Sequence, residues 1–232
     1  MRRPGRWSIC LTLFGLVLML TLGFWQLQRM AWKQGLLAEI QAGLAAAPVS
    51  LTAPLEDLAA LNYHAVRLQG QFLHDMEAHV GPRVHRGRAG LHVLTPLRLA
   101  GGAMVLVNRG WIPKDRRDPA TRVPGQIPGV VTVQGVLRSK LSQGAWTPEH
   151  DPRADLWFWY DFAGIAKARG LELAPAVVQA DGQANPGGLP IGGVAQPVLH
   201  NDHLQYAITW FSLAAVLVII FFLAHRRRRD RL

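Results

Sequence analysis

The chain of 232 residues contains a single cysteine, Cys10, which lies inside an apolar run near the N-terminus. One cysteine cannot form a disulfide within the chain, and it cannot supply the pair of thiolates that many copper and zinc sites use. The sequence therefore excludes a fold held together by disulfides. It also excludes the membrane-tethered redox and copper-transfer proteins that depend on paired thiols.

The sequence also lacks the short motifs that accompany common catalytic sites. It has no Gly-x-Ser-x-Gly elbow, no glycine-rich phosphate loop and no His-Glu-x-x-His zinc motif. Five histidines follow one another at irregular spacing, which predicts surface residues rather than a metal site: His64, His74, His79, His85 and His92. His150, Asp151 and Asp155 occupy a polar segment and are expected to be solvated. We therefore expect no enzyme, with a membrane enzyme of unassigned reaction as the least favoured alternative.

Charge is absent from two long apolar runs, residues 7–25 and 204–224. Each has about 20 residues, which at ~1.5 Å per residue matches the ~30 Å hydrocarbon core of a bilayer. We predict transmembrane helices over residues 7–27 and 204–224, with the lipid bilayer as a partner. A cleaved signal peptide is the alternative for the first run, but its length and its Gly-Phe-Trp ending are not typical of one.

Most of the positive charge flanks these two runs. The net charge is +10, of which residues 1–6 carry +3 and residues 225–232 carry +4. Because basic flanks stay on the cytoplasmic side, we predict cytoplasmic tails at residues 1–6 and 225–232. The domain over residues 28–203 is then periplasmic, at a bacterial inner membrane. No basic and aromatic stripe remains for nucleic acid, so no nucleic-acid partner is expected.

The segment between the spans changes from helical to alternating periodicity. The first helix is expected to continue towards Pro48, and a turn over residues 100–103 is expected to join two strands as a hairpin. Asp161 and Gly170 are the expected N-cap and C′ residues of a short helix. Alternation predicts six strands, at residues 65–72, 91–99, 104–111, 130–137, 157–160 and 176–180.

These elements define the predicted fold class. It is a membrane protein in which N- and C-terminal transmembrane helices flank a mainly antiparallel β extracytoplasmic domain with short helices. The sheet is expected to be either open or closed in a barrel-like form. Two long segments rich in proline, residues 113–129 and 181–199, have no role that the sequence assigns.

The start of the second span carries the most specific candidate for binding. Asp202 and the glutamine three residues later match a capping box, which places His203 in the first helical turn. His203 then shares a helix face with Tyr206, Ala207 and Trp210. An imidazole beside a small residue and aromatic rings can ligate the iron of a flat apolar cofactor such as haem. An interfacial histidine bonded to water or a carbonyl is the alternative.

Four blocks of sequence together resemble one known family. They are residues 22–29 (LGFWQLQR), 107–113 (VNRGWIP), 157–161 (WFWYD) and 201–211 (NDHLQYAITWF). In this order they resemble the surfeit locus protein 1 family, membrane proteins that assist the assembly of cytochrome c oxidase. The resemblance implies a non-enzymatic factor that binds haem a and assists its insertion into oxidase subunit I. It also implies haem a synthase as a partner, and it assigns haem binding to His203.

Further aromatic and basic residues extend this hypothesis. Trp25 and Trp210 are expected at similar depth in the bilayer, where they would flank the macrocycle, with Tyr206 beside them. Arg29, one turn beyond Trp25, would pair with a propionate. Anchoring in the interfacial aromatic belt is the alternative for the tryptophans, and snorkelling to headgroups is the alternative for Arg29.

A second function stays open: an interaction scaffold that stabilises partly assembled subunit I without binding cofactor. Iron ligation separates the two functions.

In the VNRGWIP block, Arg109 is expected to close hydrogen bonds of the sheet itself, with a carboxylate anchor as the alternative. Gly110 is expected to relieve a tight or bulged backbone, and Trp111 to lie in the core.

Overall fold

The structure is a computed structural model that describes residues 5–141, 143–194 and 201–226. The chain divides into two compact units, residues 1–39 with 198–232, and residues 40–197. Its helices and strands follow in the order α1 Arg6–Ala45, β1 Val49–Leu51, β2 Ala65–Phe72, β3 Ala78–His85, β4 Arg88–Leu99, β5 Met104–Pro113, β6 Val130–Arg138, β7 Leu156–Trp157, α2 Phe162–Arg169, β8 Val177–Ala180 and α3 His203–His225.

The first unit contains two apolar helices. Helix α3 has 23 residues and α1 has 40, so both are long and apolar enough to cross a membrane. Only 6% of the most apolar stretch of α1 and 11% of that of α3 is buried. A core helix of a soluble protein is instead mostly covered by other elements. The two helices therefore indicate a membrane-anchored protein.

Small residues allow these two helices to approach each other. Gly23 faces the ring of Phe211 so closely that an added Cβ would lie 2.7 Å from it. The rings of Phe24 and Phe211 meet edge to face, with centroids 5.4 Å apart. Ala207 and Ala214 of α3 are buried. Such contacts between small and aromatic side chains are typical of packing between membrane helices.

The second unit is built on a closed five-stranded barrel. Its strands follow one another in the order β2, β6, β8, β5 and β4, and β4 pairs with β2 to close the ring. Every pair in the ring is antiparallel except β5 with β8. Strand β1 extends the sheet beside β2, and β3 and β7 extend it beyond β4. The predicted fold class, with its barrel-like form, is confirmed.

Alternation along the strands fills the interior of the barrel. Strand β2 alternates between buried and exposed residues along its length, as expected of a half-buried strand. The side chains from the barrel strands meet in one apolar cluster that includes Leu68, Leu97, Val105, Leu137 and Val178. A second cluster joins β3, β4 and β5 to α2 through Ile165 and Trp157.

Both predicted ends of α2 are confirmed. The side chain of Asp161 accepts a hydrogen bond from the backbone N–H of Gly164 at 2.9 Å. Gly170 ends the helix with φ 64°, the left-handed conformation that glycine adopts without a steric penalty. Two charged residues of the last turn, Lys167 and Arg169, complement the C-terminal end of the helix dipole.

The capping box predicted for α3 does not form. Asp202 occupies the N-cap position, but its side chain makes no capping hydrogen bond to the helix. Its backbone explains this difference, because φ −94° and ψ 6° lie outside the extended conformation that a capping side chain normally requires. Helix α1 ends at Ala45, three residues before the proline that was expected to stop it.

Candidate functional site

His203 begins α3, and its imidazole lies against α1 within the helical unit. The ring is half-buried, and its Nδ1 lies 2.8 Å from the side-chain Oε1 of Gln26. An amide oxygen only accepts hydrogen bonds, so Nδ1 donates to Gln26, and in a neutral ring this leaves the lone pair on Nε2. Among the residues that the structure describes, no hydrogen bond to Nε2 is formed. This donor arrangement fits a neutral histidine that ligates a metal through Nε2.

The other candidate residues, Trp25, Arg29, Tyr206 and Trp210, lie on the same two helices as His203. Trp25 and Tyr206 are 52% and 57% exposed, and Trp210 is half-buried. The guanidinium of Arg29 lies 4.0 Å above the ring centroid of Trp32, as a cation–π pair on α1. Exposed aromatic groups are therefore available on both helices, and an exposed guanidinium is available on α1. Their assignment to a cofactor stays a prediction.

Gln26 is the residue of this region that the sequence analysis missed. A signal for it exists, because Gln26 is an uncharged polar side chain inside the span predicted over residues 7–27. Polar side chains in membrane helices usually hydrogen-bond to a neighbouring helix. The sequence indicates the need for a partner, but it does not identify that partner, 177 residues away.

The β unit contains a buried ionic network centred on Glu77. Two nitrogens of Arg122 donate to its carboxylate at 3.2 and 2.5 Å, and Nη1 of Arg109 lies 3.7 Å away. Burial alone would raise the pKa of Glu77. Hydrogen bonds with His74 and Arg122, together with the charges of Arg122 and Arg109, lower this pKa to about 2. Glu77 is therefore a carboxylate at neutral pH.

Arg109 holds two long loops together rather than closing hydrogen bonds of its own sheet, so that expectation is wrong. Its Nη2 donates to the backbone carbonyl of Gly125 and, at 3.1 Å, to Oδ1 of Asn185. The guanidinium also covers the ring of Phe72. Burial lowers the pKa of Arg109 to about 10, while the carboxylate of Glu77 opposes that shift. The carboxylate that Arg109 approaches belongs to the protein itself.

A cavity of about 470 Å³ lies beside this arginine, at the ends of β2 and β8 and the start of β6. Apolar side chains such as Phe72 and Val133 line it together with Arg109, Asp181 and Asn185. Arg109 donates hydrogen bonds to the two loops that flank this cavity and so connects them at its rim. The loops over residues 113–129 and 181–199 thus acquire a structural connection that the sequence did not assign.

Two of the histidines predicted at the surface are buried, which corrects that expectation. Nδ1 of His79 lies 2.6 Å from Oδ2 of Asp155, and Asp155 also accepts from Arg169 at 2.5 Å. His92 lies 3.2 Å from Nδ2 of Asn108. Burial lowers the pKa of His92 to about 4, with help from the charges of Arg83 and His85, so its ring is neutral at pH 7.

His150 and Asp155 also depart from the expectation of solvated loop residues. His150 accepts a hydrogen bond from the backbone N–H of Phe158 at 3.1 Å, and its ring packs against Trp157 and Trp159. Asp155 is fixed by His79 and Arg169. In the described part of the chain, no group of three His, Cys, Asp or Glu side chains is placed to hold a metal ion.

The expectations for the VNRGWIP block hold at its other positions. Gly110 has φ 126° and adjoins a register shift in the pairing of β4 with β5. Trp111 is buried, and its Nε1 donates to the carbonyl of Arg83 at 3.0 Å. Asn108 belongs to the buried polar group around His92 and donates to Oε1 of Gln179 at 2.7 Å.

Two apolar helices and one barrel domain define a membrane-anchored protein with a single β domain. Residues 13–215 match the SURF1 family model. The chain is 36% identical over 222 residues to a SURF1-like protein of Monosiga brevicollis, covering 90% of this chain and 84% of that one. It is 35% identical to Surfeit locus protein 1 of Rattus norvegicus over 89% of this chain and 72% of the relative. It is also 35% identical to Surfeit locus protein 1 of Homo sapiens, over 87% of this chain and 72% of the relative.

The chain therefore belongs to the SURF1 family, which is known for cytochrome c oxidase assembly factors. The family resemblance inferred from the four sequence blocks is confirmed. These blocks lie in both units of the molecule. Two of them are in the helices that hold Gln26 and His203, and the other two are in and around the barrel, at β5 and β7.

Proposed function

We propose that this protein is an assembly factor of cytochrome c oxidase that binds haem a and assists its insertion into subunit I. Haem a synthase is the proposed donor of the cofactor. Family membership supports the role in oxidase assembly. The observation that carries the cofactor role is the ring of His203, which has Nδ1 engaged by Gln26 and Nε2 directed to no described partner.

His203 would hold the cofactor by ligation through Nε2. Haem a supplies an iron that accepts axial imidazole ligands and a large apolar macrocycle. Trp25 and Tyr206 are exposed on the same two helices and would cover part of the macrocycle, together with Trp210. The guanidinium of Arg29 would form an ion pair with a propionate of the haem.

The proposed location is a bacterial inner membrane, with both termini in the cytoplasm and the barrel domain in the periplasm. Arg6 at the start of α1 and Arg226 after α3 support this orientation. The other basic residues of the two tails lie outside the described residues. An apolar cofactor would then be received and released at the outer leaflet, close to where α3 begins, without crossing water.

The first prediction tests the role of His203. The protein is purified from membranes that also contain haem a synthase, and bound haem a is measured by its optical spectrum and by stoichiometry. His203→Ala should reduce bound haem a by at least about tenfold, because the axial ligand is lost. His225→Ala, at the other end of the same helix, should leave it unchanged. Wild-type spectrum and stoichiometry in His203→Ala would remove His203 from the proposal.

The scaffold function makes a different prediction in the same cells. A scaffold that binds no cofactor would capture subunit I equally well with and without His203, and no haem a would accompany the purified protein. The proposed function instead predicts that deletion of the protein lowers the haem a signal of the membranes while subunit I is still present. Normal oxidase spectra in the deletion strain would contradict both functions.

A further inference from the structure

Gln26 lies at the end of the apolar run of α1, directly after Trp25 and before the polar residues Gln28 and Arg29. Its side chain is half-buried, and its Oε1 meets Nδ1 of His203 at 2.8 Å, a normal length for a hydrogen bond. The preceding residues, Gly23 and Phe24, already pack against Phe211 of α3. One hydrogen bond between membrane helices contributes only about 0.6 kcal/mol. Helix pairing alone therefore gives little reason for an amide at this position.

We propose that Gln26 is a positioning residue that holds His203 in the Nδ1–H tautomer and directs its Nε2 to the iron of the bound haem. This inference rests on the proposed function and adds a residue to its site. The reason is chemical: an imidazole that donates from one nitrogen presents the lone pair of the other. Metal-ligating histidines almost always have such a partner for their second nitrogen.

The chemical type of the group that accepts from Nδ1 affects how strongly His203 would bind the iron. A carboxylate at this position would make the imidazole a stronger donor to the metal, whereas an amide oxygen is a neutral and weaker acceptor. Weaker donation suits a protein that must pass its cofactor on. The glutamine would thus orient the ring firmly while keeping ligation reversible. Gln26→Glu should therefore strengthen the ligation of the iron by His203, and Gln26→Leu should weaken it.

The second prediction concerns the tautomer and needs no haem. In the full chain labelled with ¹⁵N-histidine and purified without cofactor, the His203 signal is assigned by its loss in His203→Ala. Wild type should show the Nδ1–H tautomer, and Gln26→Leu should shift the population towards Nε2–H. Gln28→Leu, an exposed site two residues further along α1, should have no effect. Nε2–H in wild type, or an unchanged signal in Gln26→Leu, would overturn the proposal.

The same variants are then compared with haem a. Gln26→Leu should retain about tenfold less haem a than wild type and Gln28→Leu, the usual order of effect for removing such a partner. Gln26→Glu should retain haem a and lower its reduction potential, a change that a purely structural hydrogen bond would not produce. Equal retention and an unchanged potential in all three variants would overturn the positioning role.

The two measurements separate this inference from the function on which it rests. If wild type shows the predicted tautomer but binds no haem a, the proposed function fails while the hydrogen bond between Gln26 and His203 stands. If wild type binds haem a and Gln26→Leu binds it equally well, the proposed function stands and the positioning role fails.

Discussion

At the scale of single residues, the buried charges of the β unit set the strongest constraints. Glu77, Arg109 and Arg122 are all buried, so two guanidinium groups share one carboxylate. Charged groups taken out of water are tolerated only with close partners of opposite charge and with hydrogen bonds. The carboxylate of Glu77 gives Arg122 both an opposite charge and hydrogen-bond acceptors, and it lies near Arg109. Arg122 belongs to one long loop and Arg109 donates to both, so this acidic side chain stabilises the charged groups that connect the two loops.

The third prediction is that Glu77→Gln strongly destabilises the protein. Removing one member of a buried ion pair typically costs about 3–5 kcal/mol, because the remaining charge stays buried. The free energy of unfolding at pH 7 should fall by that amount, measured by chemical denaturation of the detergent-solubilised chain. Glu149→Gln changes an exposed carboxylate and should stay within about 0.5 kcal/mol of wild type. Equal stability of the two variants would contradict the prediction.

The same variant should also change how stability depends on pH. The pKa of Glu77 falls from 4.5 to about 2 on folding, so its contribution is fully present above pH 4.5. That contribution, about 3 kcal/mol, should disappear as the pH falls through about 2. Glu77→Gln should therefore show a flatter curve of unfolding free energy against pH in this range. A curve parallel to that of wild type would contradict the assignment.

At the scale of elements, strand β5 connects most parts of the barrel unit. It pairs with β4 and β8, and next to the register shift at Arg109 its Trp111 also pairs with Ile191 of a distant loop. The N–H of Trp111 donates to the carbonyl of Ile191 at 2.9 Å, and the N–H of Ile191 returns a bond at 2.8 Å. A Cβ on Gly110 would lie 2.0 Å from that same carbonyl oxygen. Glycine is required here by close backbone approach as well as by φ.

The fourth prediction follows from this close approach. Gly110→Ala should lower the free energy of unfolding by more than about 3 kcal/mol, because it adds a backbone clash to conformational strain. Gly102→Ala is the matched control, since its φ is also positive, at 90°, but nothing lies within 4 Å of the added Cβ. That change should cost about 1–2 kcal/mol, the strain of the left-handed conformation alone. Equal losses in chemical denaturation would show that the contact with Ile191 has no effect.

Local pattern predicted most of the elements but not their partners, and the strand predicted over residues 157–160 is only Leu156–Trp157. The strands β2, β4, β5 and β6 were found because alternation depends on neighbours within each strand. Strand β3 was missed because Gly81 and Pro82 resemble a turn, whereas they lie at a register shift in its pairing with β4. His79 and His92 were placed at the surface because burial depends on which elements cover them. The contact of Arg109 with Asn185 spans 76 residues and leaves no local signal.

At the scale of the whole molecule, the two units have different physical character. One consists of apolar helices whose surfaces are mostly uncovered by protein, and the other has a packed core enclosed by a barrel. The apolar runs predicted the helical unit directly, since length and composition are properties of sequence alone. The prediction that the barrel lies in the periplasm depends instead on the basic residues that flank the two spans, such as Arg6 and Arg226.

The fifth prediction tests the side of the membrane on which the barrel lies. In a Cys10→Ser background, which removes the single cysteine of the chain, one cysteine is introduced either at Trp146 or at Leu232. Trp146 is 97% exposed in the barrel unit, so a thiol there is open to reagents in the surrounding compartment. A membrane-impermeant maleimide should label Trp146→Cys in intact spheroplasts, and Leu232→Cys only after permeabilisation. The reverse pattern would place the barrel in the cytoplasm. His203 would then face the inner leaflet, and delivery of haem a from the periplasmic side would be ruled out.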